Sequence, residues 1–301
     1  MRAAVIFGLG SSEKNLKAFA KASDTNWQIG MPASSSEADA ILIFGGDGTI
    51  HRHLPRLVEL KLPVLVVPCG SGNDFARSLH LSSPRLSLRA WRQFSQGAAK
   101  VREIDLGVIS SLGQDETRDL GISPTHQHYF CCVAGVGLDS EVARRANELP
   151  QWLRGRGGYA ASLPGALLRF CSFQAKLSTA SEQNPQGFVI YKEAPITLAA
   201  FANTPVYGGG MRIAPNARLD DGQLDLCVVN NIDKFKLFCL FPTVYFGRHL
   251  DMKEVEYTRA SRLRIETEKP LDVYADGEYV CQTPVEISVA SKSLVIVDSG
   301  S

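Results

Sequence analysis

The feature that most constrains this chain is an apolar run that ends abruptly in glycines, and it occurs twice in close succession. Ile41-Leu-Ile-Phe-Gly-Gly-Asp-Gly-Thr49 and Val66-Val-Pro-Cys-Gly-Ser-Gly-Asn-Asp-Phe-Ala76 each pass from an apolar run to a glycine turn and then to an amphipathic segment. Such runs are too short for helices and read as buried strands, so each segment reads as strand, turn and helix. Ala3–Phe7, Ala40–Phe44 and Val64–Val67 are the strands, and Glu13–Ala22, Ile50–Leu60, Asn73–His80 and Leu86–Gln96 the helices. Alternation of this kind predicts an α/β domain over residues 1–104 with a largely parallel sheet.

From about residue 101 the pattern becomes β-rich. Val101–Ile109, Tyr129–Ala134, Ile196–Asn203, Leu224–Val229, Arg262–Glu266 and Val285–Val289 alternate apolar with polar residues between turn signals. They predict an antiparallel sheet or sandwich over residues 105–292. Two helical inserts interrupt it, one from Ser140 to about Phe170 and one over Asp233–Phe246, in which Lys236–Phe246 reads as a buried helix kinked at Pro242 rather than as a lipid anchor. The polar stretch Leu112–His126 reads as an exposed loop. Ser293–Val297 reads as a last strand returning to the first domain, so residues 293–301 are grouped with it. No flexible linker marks the boundary, which predicts closely coupled domains with a ligand cleft between them.

Charge narrows the partners. Lys plus Arg (32) and Asp plus Glu (31) nearly cancel, leaving +1, so no nucleic acid is expected and an anionic ligand must be held locally. The seven cysteines contain no CxxC pair, which argues against a disulfide framework or a zinc site and fits a reducing cytoplasm. The N-terminal segment lacks the features of a secretory signal, and no apolar run reaches the ~18 residues of a spanning helix.

Glycines at 45, 46 and 48 allow positive φ and let a phosphate approach the backbone without meeting a Cβ, and a following helix start supplies N–H groups. Asp47 does not attract phosphate, so it either meets a magnesium ion or orients the loop by hydrogen bonding. Gly70 and Gly72 repeat the pattern, with Ser71 and Asn73 as hydrogen-bonding side chains and Asn73 or Asp74 as a plain helix cap. Loops after consecutive strands lie along one sheet edge, where open α/β folds hold ligands. Neither GxxxxGK[ST] nor GxGxxG is present.

Together the motifs resemble the catalytic region of the diacylglycerol kinase and sphingosine kinase superfamily in its bacterial soluble form. The likeness runs from Gly45-Gly-Asp-Gly-Thr49 and Pro68 to Ala76 through Ile104-Asp-Leu-Gly107 and Phe130 to Asp139. It continues through Gly208-Gly-Gly-Met-Arg-Ile-Ala-Pro215, Asp220-Asp-Gly-Gln-Leu-Asp-Leu226 and Asp276-Gly-Glu278. The resemblance implies a phosphofructokinase-like three-layer α/β nucleotide-binding domain with a second, β-sandwich domain and an active site in the interdomain cleft. It implies an ATP- and magnesium-dependent kinase acting on a lipid hydroxyl. Gly45, Gly46, Asp47, Gly48 and Thr49, with Gly70, Ser71, Gly72, Asn73, Asp74, Phe75 and Ala76, match the ATP loops. Glu278 matches the general base, Asp74 and Asp105 an acidic network around catalytic magnesium, and Asp221 with the carbonyls of Arg218 and Gln223 a structural magnesium site.

Each residue also has a plainer reading. Asp-Gly before Glu278 is an ordinary hairpin turn, Asp105 could sit exposed at a strand end, and residues 216–223 could be a simple Asp-Gly turn. Asp139 reads better as a cap of the following helix than as part of an acidic network. Pairs of histidines two apart (His51 with His53, His126 with His128) do not share a helix face.

Three positions depart from the family pattern. His51-Arg52 stand where most members carry Asn-Glu, Phe7-Gly-Leu-Gly-Ser11 replaces an Asn-Pro motif, and the stretch before Ala40 is too short for a strand and helix found in relatives. The partner implied is a membrane lipid met at the bilayer surface by a cytoplasmic, transiently associated protein. Gln151 to Tyr159, with Trp152, is the interfacial candidate, core packing of Trp152 and Tyr159 is the equal alternative, and a homodimer stays open. The alternatives are an NAD kinase or other small-molecule kinase, or a nucleotide- or lipid-binding regulator that has lost catalysis.

Overall fold

A computed structural model describes residues 1–112, 127–148, 165–167, 170–181 and 184–298. The loop reading over 113–126 with His126, and the aromatic and basic stretch 151–159, lie outside the described residues. The chain divides into two compact units, Met1–Leu106 with Ser291–Ser301, and Gly107–Ala290.

The first unit contains β1 (Arg2–Phe7), α1 (Glu13–Ala20), β2 (Asn26–Ile29), β3 (Ala40–Gly45), α2 (Asp47–Leu60), β4 (Val64–Pro68), α3 (Asp74–Ser78) and α4 (Pro84–Ser95). Its strands lie in the order β2–β1–β3–β4, all parallel. The last strand of the chain adds to β4, also parallel, through Ile296 opposite Val64. Ile41, Leu42, Ile43 and Phe44 are fully buried, as expected of a central strand covered on both faces. Ile50, Leu54 and Leu57 of α2 and Trp91 of α4 are buried as well.

Two features differ from the sequence reading. The short stretch before Ala40 does contain a strand, β2, which pairs with β1 from Arg2 opposite Asn26 to Val5 opposite Ile29. Its side chains are mostly exposed, so no hydrophobic pattern announces it. Helix α2 starts at Asp47 rather than Ile50, because extended Gly46 acts as its N-cap and accepts from Thr49 N and Ile50 N.

The second unit contains β6 (Gln127–Phe130), β7 (Val133–Gly137), α5 (Leu138–Glu148), β8 (Phe173–Ser181), β9 (Asn184–Ala202), β10 (Leu224–Asn230), α6 (Lys234–Val244), β11 (Val255–Ala260), β12 (Arg262–Thr267), β13 (Asp272–Ala275) and β14 (Glu278–Gln282). Strands β5 (Val101–Ser111) and β15 (Val285–Val297) each begin in one unit and end in the other. The strand order is β14–β13–β7–β9–β8–β12–β15, antiparallel throughout, with β10 between β9 and β11. Phe130, Phe201, Leu226, Leu263, Ile265 and Ile287 belong to one buried core.

Here too the boundaries move. Val285–Val289 and Ser293–Val297 are one continuous strand, β15. The run Tyr129–Ala134 is broken at Cys131-Cys132, whose N–H groups turn to the Asp276 carboxylate instead of a neighbouring strand. Helix α6 is not a buried helix, since Phe235 and Phe238 are 76% and 62% exposed.

Candidate functional site

In the first unit, β1, β3 and β4 end in loops at the same edge of the parallel sheet. The chain leaves β1 for β2 on one side and continues to β3 on the other, so the strand order reverses between β1 and β3. In open α/β sheets this switch point, at the carboxyl ends of the strands, is where ligands bind. Gly8 N donates to Phe44 O at 2.8 Å, and Ser11 Oγ donates to Phe44 O at 2.6 Å. The Phe7–Ser11 stretch that replaces the Asn-Pro motif is thereby fastened to the end of β3.

The two glycine turns touch. A Cβ placed on Gly70 would stand 2.4 Å from Gly46 Cα, and one on Gly46 would stand 2.9 Å from Gly70 Cα. Gly45 and Gly8 are filled in the same way by the Thr49 side chain, at 2.6 Å and 2.2 Å. None of Gly45, Gly46, Gly48, Gly70 and Gly72 has positive φ, which corrects the conformational reason given for them. Gly46, Gly70 and Gly72 are needed for close approach of one loop to the other, and Gly45 makes room for the Thr49 side chain of its own turn. The left-handed residue of the second turn is Asn73, at φ 53°. Its amide closes the turn, with Gly70 N donating to Oδ1 at 3.0 Å and Nδ2 donating to Gly70 O at 2.6 Å.

Asp47 fastens the loops. Its carboxylate accepts from Asp74 N at 2.9 Å and from Phe75 N at 3.1 Å, capping α3 from a different element. Of the two roles anticipated for Asp47, the structure displays the hydrogen bond to the loop. Asn73 occupies the N-cap position, but its side chain turns back to Gly70, so neither it nor Asp74 caps α3 by side chain. Ser71 is exposed, whereas Phe75 and Ala76 are buried.

Asp74 and Asp105 are 3% and 2% exposed, so the strand-end reading of Asp105 does not hold. Carboxylates this deep need partners. Asp74 meets Arg77 Nη1 at 2.5 Å, and Asp105 accepts from Lys292 N at 2.8 Å. Among the described residues, the one group of three closely placed His, Cys, Asp or Glu side chains is Cys131, Cys132 and Asp276, which includes neither of them.

In the second unit Glu278 opens β14, directly after a two-residue turn of Asp276 and Gly277 in which both residues have positive φ (51° and 86°). That is the hairpin geometry that Asp-Gly favours. The Asp276 carboxylate accepts from Cys131 N, Cys132 N and Val133 N at 2.9, 2.8 and 3.3 Å, and Asn147 Nδ2 donates to Gly277 O at 2.7 Å. The turn is pinned from both sides while the Glu278 side chain is exposed. Sequence reading missed the part played by Asp276; an Asp in a turn flanked by apolar strands was the available signal.

On the 216–223 loop, Asp221 Oδ1 accepts from Gln223 N at 3.1 Å and Oδ2 faces Arg259 Nη1 at 3.4 Å. Arg218 Nε lies 3.8 Å from Asp220. The oxygen donors proposed for a magnesium ion are present, but a guanidinium already neutralises the carboxylate. Asp139 is not a helix cap either. It is the second residue of α5, buried, and accepts from Tyr207 Oη at 2.5 Å. Burial pushes its carboxyl up to about 6, the Tyr207 hydrogen bond opposing this only in part.

Comparison with known proteins bears on both units. Residues 13–109 match the Diacylglycerol kinase catalytic domain, and residues 132–298 match the YegS C-terminal NAD kinase beta sandwich-like domain. A diacylglycerol kinase of Mycobacterium tuberculosis (strain H37Rv) is 34% identical over 273 residues, covering 88% of this chain and 78% of the relative. A diacylglycerol kinase structure from Bacillus anthracis aligns with TM-score 0.65 at 19% identity, covering 99% of this chain and 96% of that one. An NAD kinase structure from Archaeoglobus fulgidus, in complex with ATP, aligns with TM-score 0.53 at 15% identity, covering 100% and 94%. The α/β unit and the antiparallel β unit thus correspond to the two-domain fold of these kinases, with a C-terminal β-sandwich. The chain belongs to the diacylglycerol kinase family of lipid kinases, enzymes that transfer a phosphoryl group to an alcohol.

Proposed function

We propose that the protein is an ATP- and magnesium-dependent lipid kinase that phosphorylates the hydroxyl of a diacylglycerol-like or sphingoid lipid. The observation that carries this reading is the contact of Gly46 with Gly70 beside the switch point of the parallel sheet. Two glycine turns that meet at Gly46 and Gly70, fastened by Asp47, make a backbone cradle suited to a polyphosphate. The N–H groups of Asp74 and Phe75 are spent on Asp47. The anion is therefore served by the start of α2, a 14-residue helix whose dipole favours negative charge at that end. Gly45 to Thr49 and Gly70 to Ala76 are accordingly assigned to nucleotide binding.

The buried carboxylates Asp74 and Asp105 have the hard oxygen chemistry that magnesium requires, and they are assigned to holding it. When bound, the ion neutralises charge on the transferring phosphoryl group. At both places a cation competes with a guanidinium: one held by Asp74 has to displace Arg77, and one bound by Asp221, Arg218 and Gln223 has to displace Arg259. Glu278 is assigned as the base that removes the proton from the lipid hydroxyl. A pinned turn beneath an exposed carboxylate holds it in place without consuming its oxygens.

The test is transfer of labelled γ-phosphate from ATP to extracted membrane lipids, with products identified by mass spectrometry. Phosphorylated diacylglycerol or sphingoid base is expected; transfer to NAD with none to lipid would overturn the reading. Glu278→Gln lowers turnover by about 10²-fold or more while ATP affinity stays unchanged. Undiminished turnover would remove Glu278 from the mechanism.

A further inference from the structure

Helix α6 is apolar on both sides. Leu237, Leu240 and Val244 are buried, and with Phe241 they line a narrow apolar cavity of about 50 Å³. The opposite side carries Phe235, Phe238, Cys239 and Pro242, all exposed, and Tyr245 keeps helical angles (φ −62°, ψ −24°), so Phe246 extends the same stripe. At about 100° per residue these five positions fall within an arc of about 100°, the width of a face that is normally covered. Phe246 is 74% exposed, like Phe235 and Phe238. An ordinary surface scatters single apolar side chains; three exposed phenylalanines on one stripe mark an interaction surface.

Its rim identifies the partner. Residues 234–248 contain Lys234, Lys236 and Arg248 and no acidic side chain, and Asp233 just before them accepts from Lys236 N as the helix cap. Lys236 faces Glu254 at 3.2 Å yet is half exposed. At the far end Arg212, also exposed, is fixed beside the helix because its N–H donates to Val244 O at 3.0 Å. Cations at both ends of an aromatic stripe are the pattern of an element lying in the interface of an anionic bilayer. A second copy of the chain fits less well, because an 11-residue helix face is about 16 Å long and falls well short of the ~800 Å² per partner of a standard interface.

We infer that α6 docks the protein on an anionic lipid bilayer, with Phe235, Phe238 and Phe246 entering the headgroup region. The choice of a bilayer as occupant rests on the lipid-kinase reading, but the contact is read out without ATP or turnover. The intact protein is sedimented with vesicles of phosphatidylcholine containing phosphatidylglycerol. The wild-type protein binds, and changing Phe235, Phe238 and Phe246 together to Ser weakens binding at least tenfold, with the far-ultraviolet circular dichroism retained. An environment-sensitive fluorophore on Cys239, with identically labelled Cys239→Ser protein as blank, shifts to the blue on vesicles and is quenched by lipid-borne nitroxide. This second readout holds even if the triple variant does not fold.

Wild-type protein that ignores the vesicles, or a Cys239 probe blind to them, overturns the inference. So does a wild-type dimer that the triple variant converts to monomer in sedimentation velocity, since the occupant is then a second copy. Vesicle binding through α6 with no lipid phosphorylated would instead leave the docking surface standing and refute the kinase reading.

Discussion

At the scale of single residues, Gly70 decides the geometry of the first unit. An added methyl group at position 70 meets backbone at 2.4 Å, and backbone cannot swing aside as the end of a flexible side chain can. Gly70→Ala is expected to cost about 1–3 kcal/mol in urea unfolding and to abolish ATP binding by calorimetry. Gly10→Ala, where φ is 82° and nothing lies within 4 Å, is expected to cost about 1–2 kcal/mol from backbone strain and to leave the two loops in contact. Equal ATP affinity in wild type and Gly70→Ala would refute the cradle. The sequence made these glycines conspicuous, but the reason for them was legible only in three dimensions: Gly46 and Gly70 are far apart in the chain, and each is small because of the other. Asp139 carries the other prediction at this scale. Its carboxyl keeps a proton to about pH 6 in the native state but loses it near pH 4 when unfolded. The native state therefore binds more protons in that window, and this group's contribution to stability falls as pH rises from about 4 to 6, by about 3 kcal/mol at most. Unfolding measured across that range is expected to show the decline in wild type relative to Asp139→Asn, and parallel curves would contradict the assignment.

At the scale of elements, the β13–β14 hairpin takes most of its side-chain anchoring from Asp276, with Asn147 adding one bond at Gly277 O. Asp276 accepts three backbone N–H groups from the stretch between β6 and β7, so Asp276→Ala leaves these donors without their acceptor. A loss of about 2–3 kcal/mol is expected, partly restored in Asp276→Asn, which keeps one acceptor oxygen. Thermal unfolding of both variants checks it, and a neutral Ala variant would show that the turn stands without this anchor. The same contact explains why Tyr129–Ala134 looked continuous in sequence: side-chain pattern reports which residues are apolar, not where their N–H groups go. Strand β2 was missed because its side chains are largely exposed, and α6 was misread because its exposed face is as apolar as its buried one. Periodicity has no contrast to work with in either case.

At the scale of the whole molecule, the change from alternating α/β to antiparallel β pattern near residue 101, and the return of the last strand to β4, were legible because both rest on hydrophobic runs. The part proposed to hold the ligand was legible differently. The buried carboxylates Asp74 and Asp105 stand out in an apolar context, but their partners, Arg77 and the Lys292 backbone, could not be read from spacing. The account stands or falls on whether the two touching turns receive the nucleotide. Amide hydrogen exchange of the intact protein with and without magnesium-ATP tests this directly. Protection is expected in the peptides spanning residues 44–50 and 69–77. ATP-dependent protection elsewhere, with those peptides exchanging as freely as before, would contradict it.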